Sequence, residues 1–245
     1  GIPYEVPSRN DLPERLGAVL RVVYLVFNEG YSASSGDSLI RPDLSAEAIR
    51  LGRLLVELLP EPEAEGLLAM MLLHESRRAA RTTDDGRLVL LEDQDRSLWD
   101  AELIEEGRER VRRALRSRRF GPYTLQAAIA AVHAESPSVE ETDWAQIVGL
   151  YGLLLQVDPS PVIRLNRAVA VAMRDGPEAG LEIVEALLAR GDLEDYALAH
   201  AARADLHRRL GDREAAARSY RRALELTNET SQRTFLEDRI QEVRR

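Results

Sequence analysis

The 245 residues predict an all-α fold, and three observations carry the prediction. Apolar residues recur at the three-to-four spacing of a helix face over most of the chain. Stretches rich in β-branched residues with alternating polarity are almost absent. Towards the C-terminus, Gly176 and Gly211 stand 35 positions apart, each between two helical patterns, which is the spacing of a helical repeat. A chain of this length buries roughly 70 to 75% of its unfolded surface, enough for a sizeable core without metal or disulfide support.

Taken in order, DLPERLGAVLRVVYLVFNEG predicts a first helix, with Asp11 as N-cap, Pro13 in the first turn and Gly30 as the stop. DLSAEAIRLGRLLVELL (43–59) and EPEAEGLLAMMLLHESRRAAR (61–81) predict an antiparallel pair broken at Pro60 and reopened at Pro62. The segment 82–100, TTDDGRLVLLEDQDRSLWD, is the longest non-helical stretch: a DDG turn, a short extended RLVLL and a polar cluster. Helices resume over 101–119 and 120–135, an acidic loop follows at 136–142, and Asp143 with Gln146 predicts a reciprocal cap on a helix over 143–157.

Pro-rich DPSP at 158–161 marks a boundary, so two parts are expected: an irregular helical domain over 1–159 and TPR-like helical repeats over 160–245. Residues 160–192 and 195–229 each read as helix, Gly-containing turn, helix. The second unit resembles a tetratricopeptide repeat, with Gly211 at the turn and Ala204, Ala216, Tyr220 and Ala223 at packing positions. The first unit has a turn one residue shorter, and Gly180 takes the small position. SQRTFLEDRIQEVRR would cap the array.

Composition narrows the function. There is no cysteine, which excludes disulfides and thiolate zinc sites. All 33 basic residues are arginine, yet the net charge is −9, so specific nucleic-acid binding by this chain alone is not expected. No apolar run reaches the roughly 18 residues of a membrane span, and GIPYEVPSRNDLPER lacks the pattern of a signal peptide, so a cytoplasmic protein without membrane contact is expected.

The sites with chemical potential are few. Asn28, Glu29 and Tyr31 end an apolar helix with an amide, a carboxylate and a phenol. HESRR at 74–78 begins like a zinc-protease motif, but Arg78 stands where the second histidine is needed, so no metal site follows. His200 and His207 lie two turns apart and read as groove or packing residues, or less readily as metal ligands. Asp93 and Asp95 in EDQDR could do acid-base work or hold a hard cation; alternatively they cap the next helix and pair with Arg81, Arg87 or Arg96. The seven arginines of RERVRRALRSRR (108–119) face glutamates at the favourable helical spacing, as a solvated helix would, and a phosphate-binding stripe is the other reading. Phosphate loops, nucleophile elbows and dinucleotide fingerprints are missing from the sequence, and neither a catalytic constellation nor a cofactor is expected.

Several segments in order carry a resemblance: GIPYEVP, VLRVVYLVFNEGYSAS, LSAEAIRLGRLL, MMLLHESRRAAR, LVLLEDQDRSLWD, GPYTLQAAIAAVHAE, TDWAQIVGLY, PSPVIRLNRAVAVA and the closing TPR-like unit. Together they resemble the C-terminal extension of a subgroup of bacterial extracytoplasmic-function (ECF) sigma factors. The resemblance implies a non-enzymatic role in transcription initiation, with the sigma core domains, RNA polymerase or another protein as partner. The helical domains that read promoters in such proteins have no counterpart in these 245 residues, so the chain is expected to be a tail separated from them. A small-molecule-sensing or vestigial enzyme domain is the alternative. Its pocket, or an interaction surface in its place, would draw on Asn28, Glu29, Tyr31, His74, Arg77, Asp93, Gln94, Asp95, Arg96, Trp99 and His133.

Overall fold

The computed structural model describes residues 12–32, 40–83 and 86–244. The GIPYEVP leader, the Asp11 cap and two aspartates of the DDG turn, Asp84 and Asp85, lie outside the described residues. The fold is all-α. Among the described residues there are eleven α-helices: α1 (Leu12–Tyr31), α2 (Pro42–Leu58), α3 (Pro62–Glu75), α4 (Ala101–Arg116), α5 (Pro122–Glu135), α6 (Trp144–Val157), α7 (Pro161–Asp175), α8 (Pro177–Ala189), α9 (Ala197–Arg209), α10 (Arg213–Glu225) and α11 (Thr230–Arg244). In place of the expected extended RLVLL, the 76–100 connection holds three single 3-10 turns and one isolated bridge between Thr82 and Leu88.

The third helix is shorter than its apolar pattern predicts. Ser76 donates its hydroxyl to the Leu73 carbonyl at 2.8 Å, and its own carbonyl accepts from the Asp100 N–H at 2.9 Å, so the backbone turns away after Glu75. α4 stops at Arg116 rather than 119, because Arg118 takes a left-handed conformation with φ 55°.

Helix α3 is the centre of the N-terminal part. Its GLLAMMLL run has no polar face, and every residue from Ala64 to Leu73 is buried. It packs against α2, α4 and α5, and small residues make the close approach possible. A Cβ added at Gly107 of α4 would lie 2.7 Å from Leu73 Cγ, and one at Gly66 would lie 2.4 Å from Thr124 Oγ1 of α5. The two carboxylates at the start of α3 are used for cross-helix bonds. Glu63 accepts the N–H groups of Gly121, Tyr123 and Thr124 at 2.8 to 3.1 Å, so a side chain from α3 caps α5. Glu65 is buried and pairs with Arg110 and Arg113 of α4.

Beyond α5 each helix packs chiefly on its neighbours in sequence, which gives an extended stack. One apolar cluster takes Leu125, Ile129 and Val132 from α5, Ile147, Val148 and Leu154 from α6 and Ala170 and Val171 from α7, so packing runs on across DPSP. The closing pair of the stack is tight. Ala204, Ala216 and Ala223 are fully buried with Tyr220 beside Leu236, Ile240 and Val243 of α11, and Gly211 turns the chain at φ 80°. In the first unit a Cβ on Gly180 would come within 2.4 Å of Ala172 Cβ, so α7 and α8 also meet through small residues.

Candidate functional site

The polar residues singled out in the sequence converge where α1 ends, α3 ends, the 76–100 connection folds back and α5 ends. Phe27, on the buried face of α1, fixes the last turn, and Tyr31 stacks on it with ring centroids 5.7 Å apart. The turn at Ser76 then brings Arg77 and Arg81 back over the end of α1. Arg77 Nη2 donates to the Tyr31 hydroxyl at 3.0 Å and to His74 Nδ1 at 3.0 Å. Arg81 lies with its guanidinium carbon 3.5 Å from the centre of the Tyr31 ring and donates to the Tyr31 carbonyl. The rings of Tyr31 and His74 are 5.2 Å apart.

Trp99 forms the middle of the cluster and is buried. Two guanidiniums lie against its ring, Arg96 at 4.5 Å and Arg77 at 5.7 Å from the centroid. Arg96 Nη1 also donates to the carbonyls of His133, at 2.8 Å, and Ser136, which closes the C-terminal end of α5. The His133 ring meets Trp144 edge-on at 5.3 Å.

Electrostatics follow from this crowding. Burial, then Arg77, Arg81 and His133, hold the His74 pKa well below its usual value. Since an arginine can only donate, the neutral His74 ring accepts at Nδ1 and carries its proton on Nε2. Burial, with Arg77 and Arg96, lowers the His133 pKa to about 4. Burial is also the first cause of the lowered values of Arg81 and Arg96, with Arg77 a lesser contributor to both.

Tyr31, His74, Arg77, Arg96, Trp99 and His133 therefore share one place, while Asp93 and Asp95 do not join them. Asp95 caps a 3-10 turn by accepting the Ser97 N–H at 2.9 Å, and Asp93 is exposed. The expected pairing of EDQDR carboxylates with Arg81 or Arg96 is not found among the described residues, because Asp95 is spent on backbone and Arg96 turns towards α5; Arg87 reaches Asp238 of α11 at 3.4 Å. Gln94 bonds the Val89 carbonyl at 3.2 Å and holds the connection together. Asn28 and Glu29 stand half-buried on the last turns of α1. Arg81 and Trp144 belong to the cluster and were not among the expected site residues; neither spacing nor composition links Arg81 to a ring fifty positions earlier.

The arginine-rich helix α4 behaves as a solvated helix for most of its length. Arg108 pairs with Glu105 at 2.9 Å and Arg110 with Glu106 at 2.8 Å, while Arg113 turns to Glu65 rather than Glu109. His200 is buried and donates from Nε2 to the Glu194 carbonyl at 2.8 Å. His207 stands 3.6 Å from Glu185 and 3.8 Å from Asp212.

On another face an open groove of about 1370 Å³ runs between α1, α2, α3, α5 and α7. Leu16, Leu20, Leu25, Leu58, Val162 and Ile163 supply its apolar lining. Two of these leucines, Leu25 and Leu58, are 59% and 68% exposed. No helix among the described residues is long and apolar enough to cross a membrane.

Residues 15–115 match a family of unknown function, DUF6596. The chain is also similar to an uncharacterized protein of Rhizobium meliloti (strain 1021), 48% identical over 237 residues. That alignment takes in 96% of this chain and 56% of the relative, so the chain spans little more than half the length of the curated relative it matches.

Proposed function

We propose that the chain is the C-terminal regulatory and protein-interaction region of an ECF-type RNA polymerase sigma factor, acting in transcription initiation in the cytoplasm, and that it is not itself an enzyme. The irregular helical part and the TPR-like part would form one docking platform for the sigma core domains, for RNA polymerase or for another protein. The observation that carries the reading is the open groove that exposes Leu25 and Leu58 among charged side chains such as Arg21, Glu61 and Arg119, since exposed apolar residues framed by polar ones mark a contact site. The stacked helix pairs and the greater length of the Rhizobium relative support it further. With a net charge of −9 the platform would be drawn to a basic promoter-reading domain rather than to DNA.

Calorimetry tests this directly. The 245-residue chain is titrated with the remainder of the Rhizobium relative at low and moderate salt. A complex that weakens with salt and is lost in the Leu25→Glu, Leu58→Glu double variant is expected. Absence of a complex at both salts overturns docking onto that segment.

A further inference from the structure

We propose that Arg77 and Arg96, with Trp99 between them, form a binding site for a small oxyanion, a phosphate or carboxylate group carried by a small molecule. This site is independent of the transcriptional reading. Several arginines elsewhere in the molecule pair with carboxylates, among them Arg53 with Glu106 at 2.6 Å, Arg110 with Glu65 at 2.8 Å and Arg208 with Asp205 at 2.6 Å. Arg77, Arg81 and Arg96 have no ion pair with any described carboxylate. Three guanidiniums share one cluster whose two histidines are neutral; Glu75 offsets part of the charge at Arg81 and Glu140 part of that at Arg96, without a direct ion pair to either.

The surrounding carboxylates reach neither Arg77 nor Arg96. Glu75 gives Oε1 to Arg78 at 2.6 Å and acts on Arg81 without bonding it, its Oε2 being buried without a hydrogen-bond partner; Asp95 is bonded to the Ser97 N–H, and Glu140 is exposed and influences Arg96 only from a distance. Buried or half-buried cations ordinarily find a counter-charge, because their loss of hydration is otherwise uncompensated.

The donors that remain point to the ligand. Arg77 uses only Nη2, for Tyr31 and His74, which leaves Nη1 and Nε. Arg96 uses only Nη1, and its Nη2 is buried without a hydrogen-bond partner; the same holds for Trp99 Nε1. Both guanidiniums lie against one indole ring, and Arg77 and Arg96 are half-buried as residues, although Arg96 Nη2 and Trp99 Nε1 are themselves shut off from solvent, so an anion reaches them only as the side chains part. Planar forks of this kind match the paired oxygens of phosphate and carboxylate. Arg81 is engaged by Tyr31, through its ring and carbonyl, and would contribute charge rather than contact.

Trp99 itself reports occupancy once Trp144, the other tryptophan of the chain, is replaced in a Trp144→Phe background. Inorganic phosphate, sulfate and citrate are titrated at constant ionic strength, with chloride as control, while Trp99 emission and thermal unfolding are followed. A saturable change with a Kd of about 1 mM or tighter is expected for at least one oxyanion. Arg96→Lys keeps the charge but loses the fork, and Arg77→Gln and Arg96→Gln lose both, so each should weaken binding at least tenfold, whereas Arg50→Gln on exposed α2 should not. A flat response to all three anions by the folded protein overturns the proposal. So does an undiminished response in folded Arg96→Lys and Arg77→Gln, which would place the anion elsewhere.

Discussion

Glu65 on α3 and Arg110 on α4 form an ion pair of 2.8 Å whose side chains are only 5% and 17% exposed. Arg113 reaches the other oxygen of the same carboxylate at 3.0 Å. Arg110 keeps Glu106 at 2.8 Å and Arg113 is largely exposed, so Glu65→Ala removes charge-assisted hydrogen bonds without stranding a charge and should lower stability by about 2 kcal/mol. Chemical denaturation would show it as a lower midpoint with an unchanged slope. A replacement that matches wild type would mean that the α3–α4 contact rests on apolar packing alone.

The Glu63 carboxylate accepts the Thr124 hydroxyl at 2.7 Å as well as three backbone N–H groups at the start of α5. Glu63→Ala should therefore cost about 1 to 2 kcal/mol, in the manner of a lost N-cap. Hydrogen exchange should speed up first in the opening turn of α5. Uniform acceleration over the whole chain would argue against a local capping role.

Ala216 is fully buried between α9, α10 and α11. Ala216→Leu should destabilise by about 1 to 3 kcal/mol through overpacking. An unchanged melting temperature would contradict the close helix contact.

Acid should weaken the fold through the two histidines of the cluster. Burial and the nearby arginines hold His133 at about 4 and His74 well below the ordinary 6.5, so the unfolded chain takes up protons that the native chain refuses. The stability they contribute is fully present above about pH 6.5 and is lost as pH falls from there towards 4. The slope should be about 1 kcal/mol per pH unit for each histidine in that window. His133→Gln should flatten it, and an equally steep profile in that variant would show that other groups set the acid limit.

Much of the fold is legible in the residues because helix signals are local. Pro62, Pro122, Pro161 and Pro177 open helices in the first turn, Asp143 accepts the Gln146 N–H at 2.8 Å as a cap, and Gly176 and Gly211 turn the chain with positive φ. The site was legible only in part. Tyr31, His74, Arg77, Arg96, Trp99 and His133 stand out as polar groups beside apolar runs, but their meeting depends on how α1, α3 and α5 pack, which no spacing encodes. The same reason hides the Glu63 cap: capping boxes are read within one helix, and here the acceptor comes from another. Ser76 shortens α3 against an apolar pattern that would extend it, because its carbonyl is claimed by Asp100 from across the connection.

The proposed role in transcription initiation is tested with the full-length Rhizobium relative, of which this chain matches 56%, in an initiation assay with core RNA polymerase and promoter DNA selected by that protein. The relative should bind the core enzyme and start transcripts from those promoters, and deleting its matched segment should change initiation at least tenfold. A full-length relative that neither binds core polymerase nor supports initiation would contradict the account.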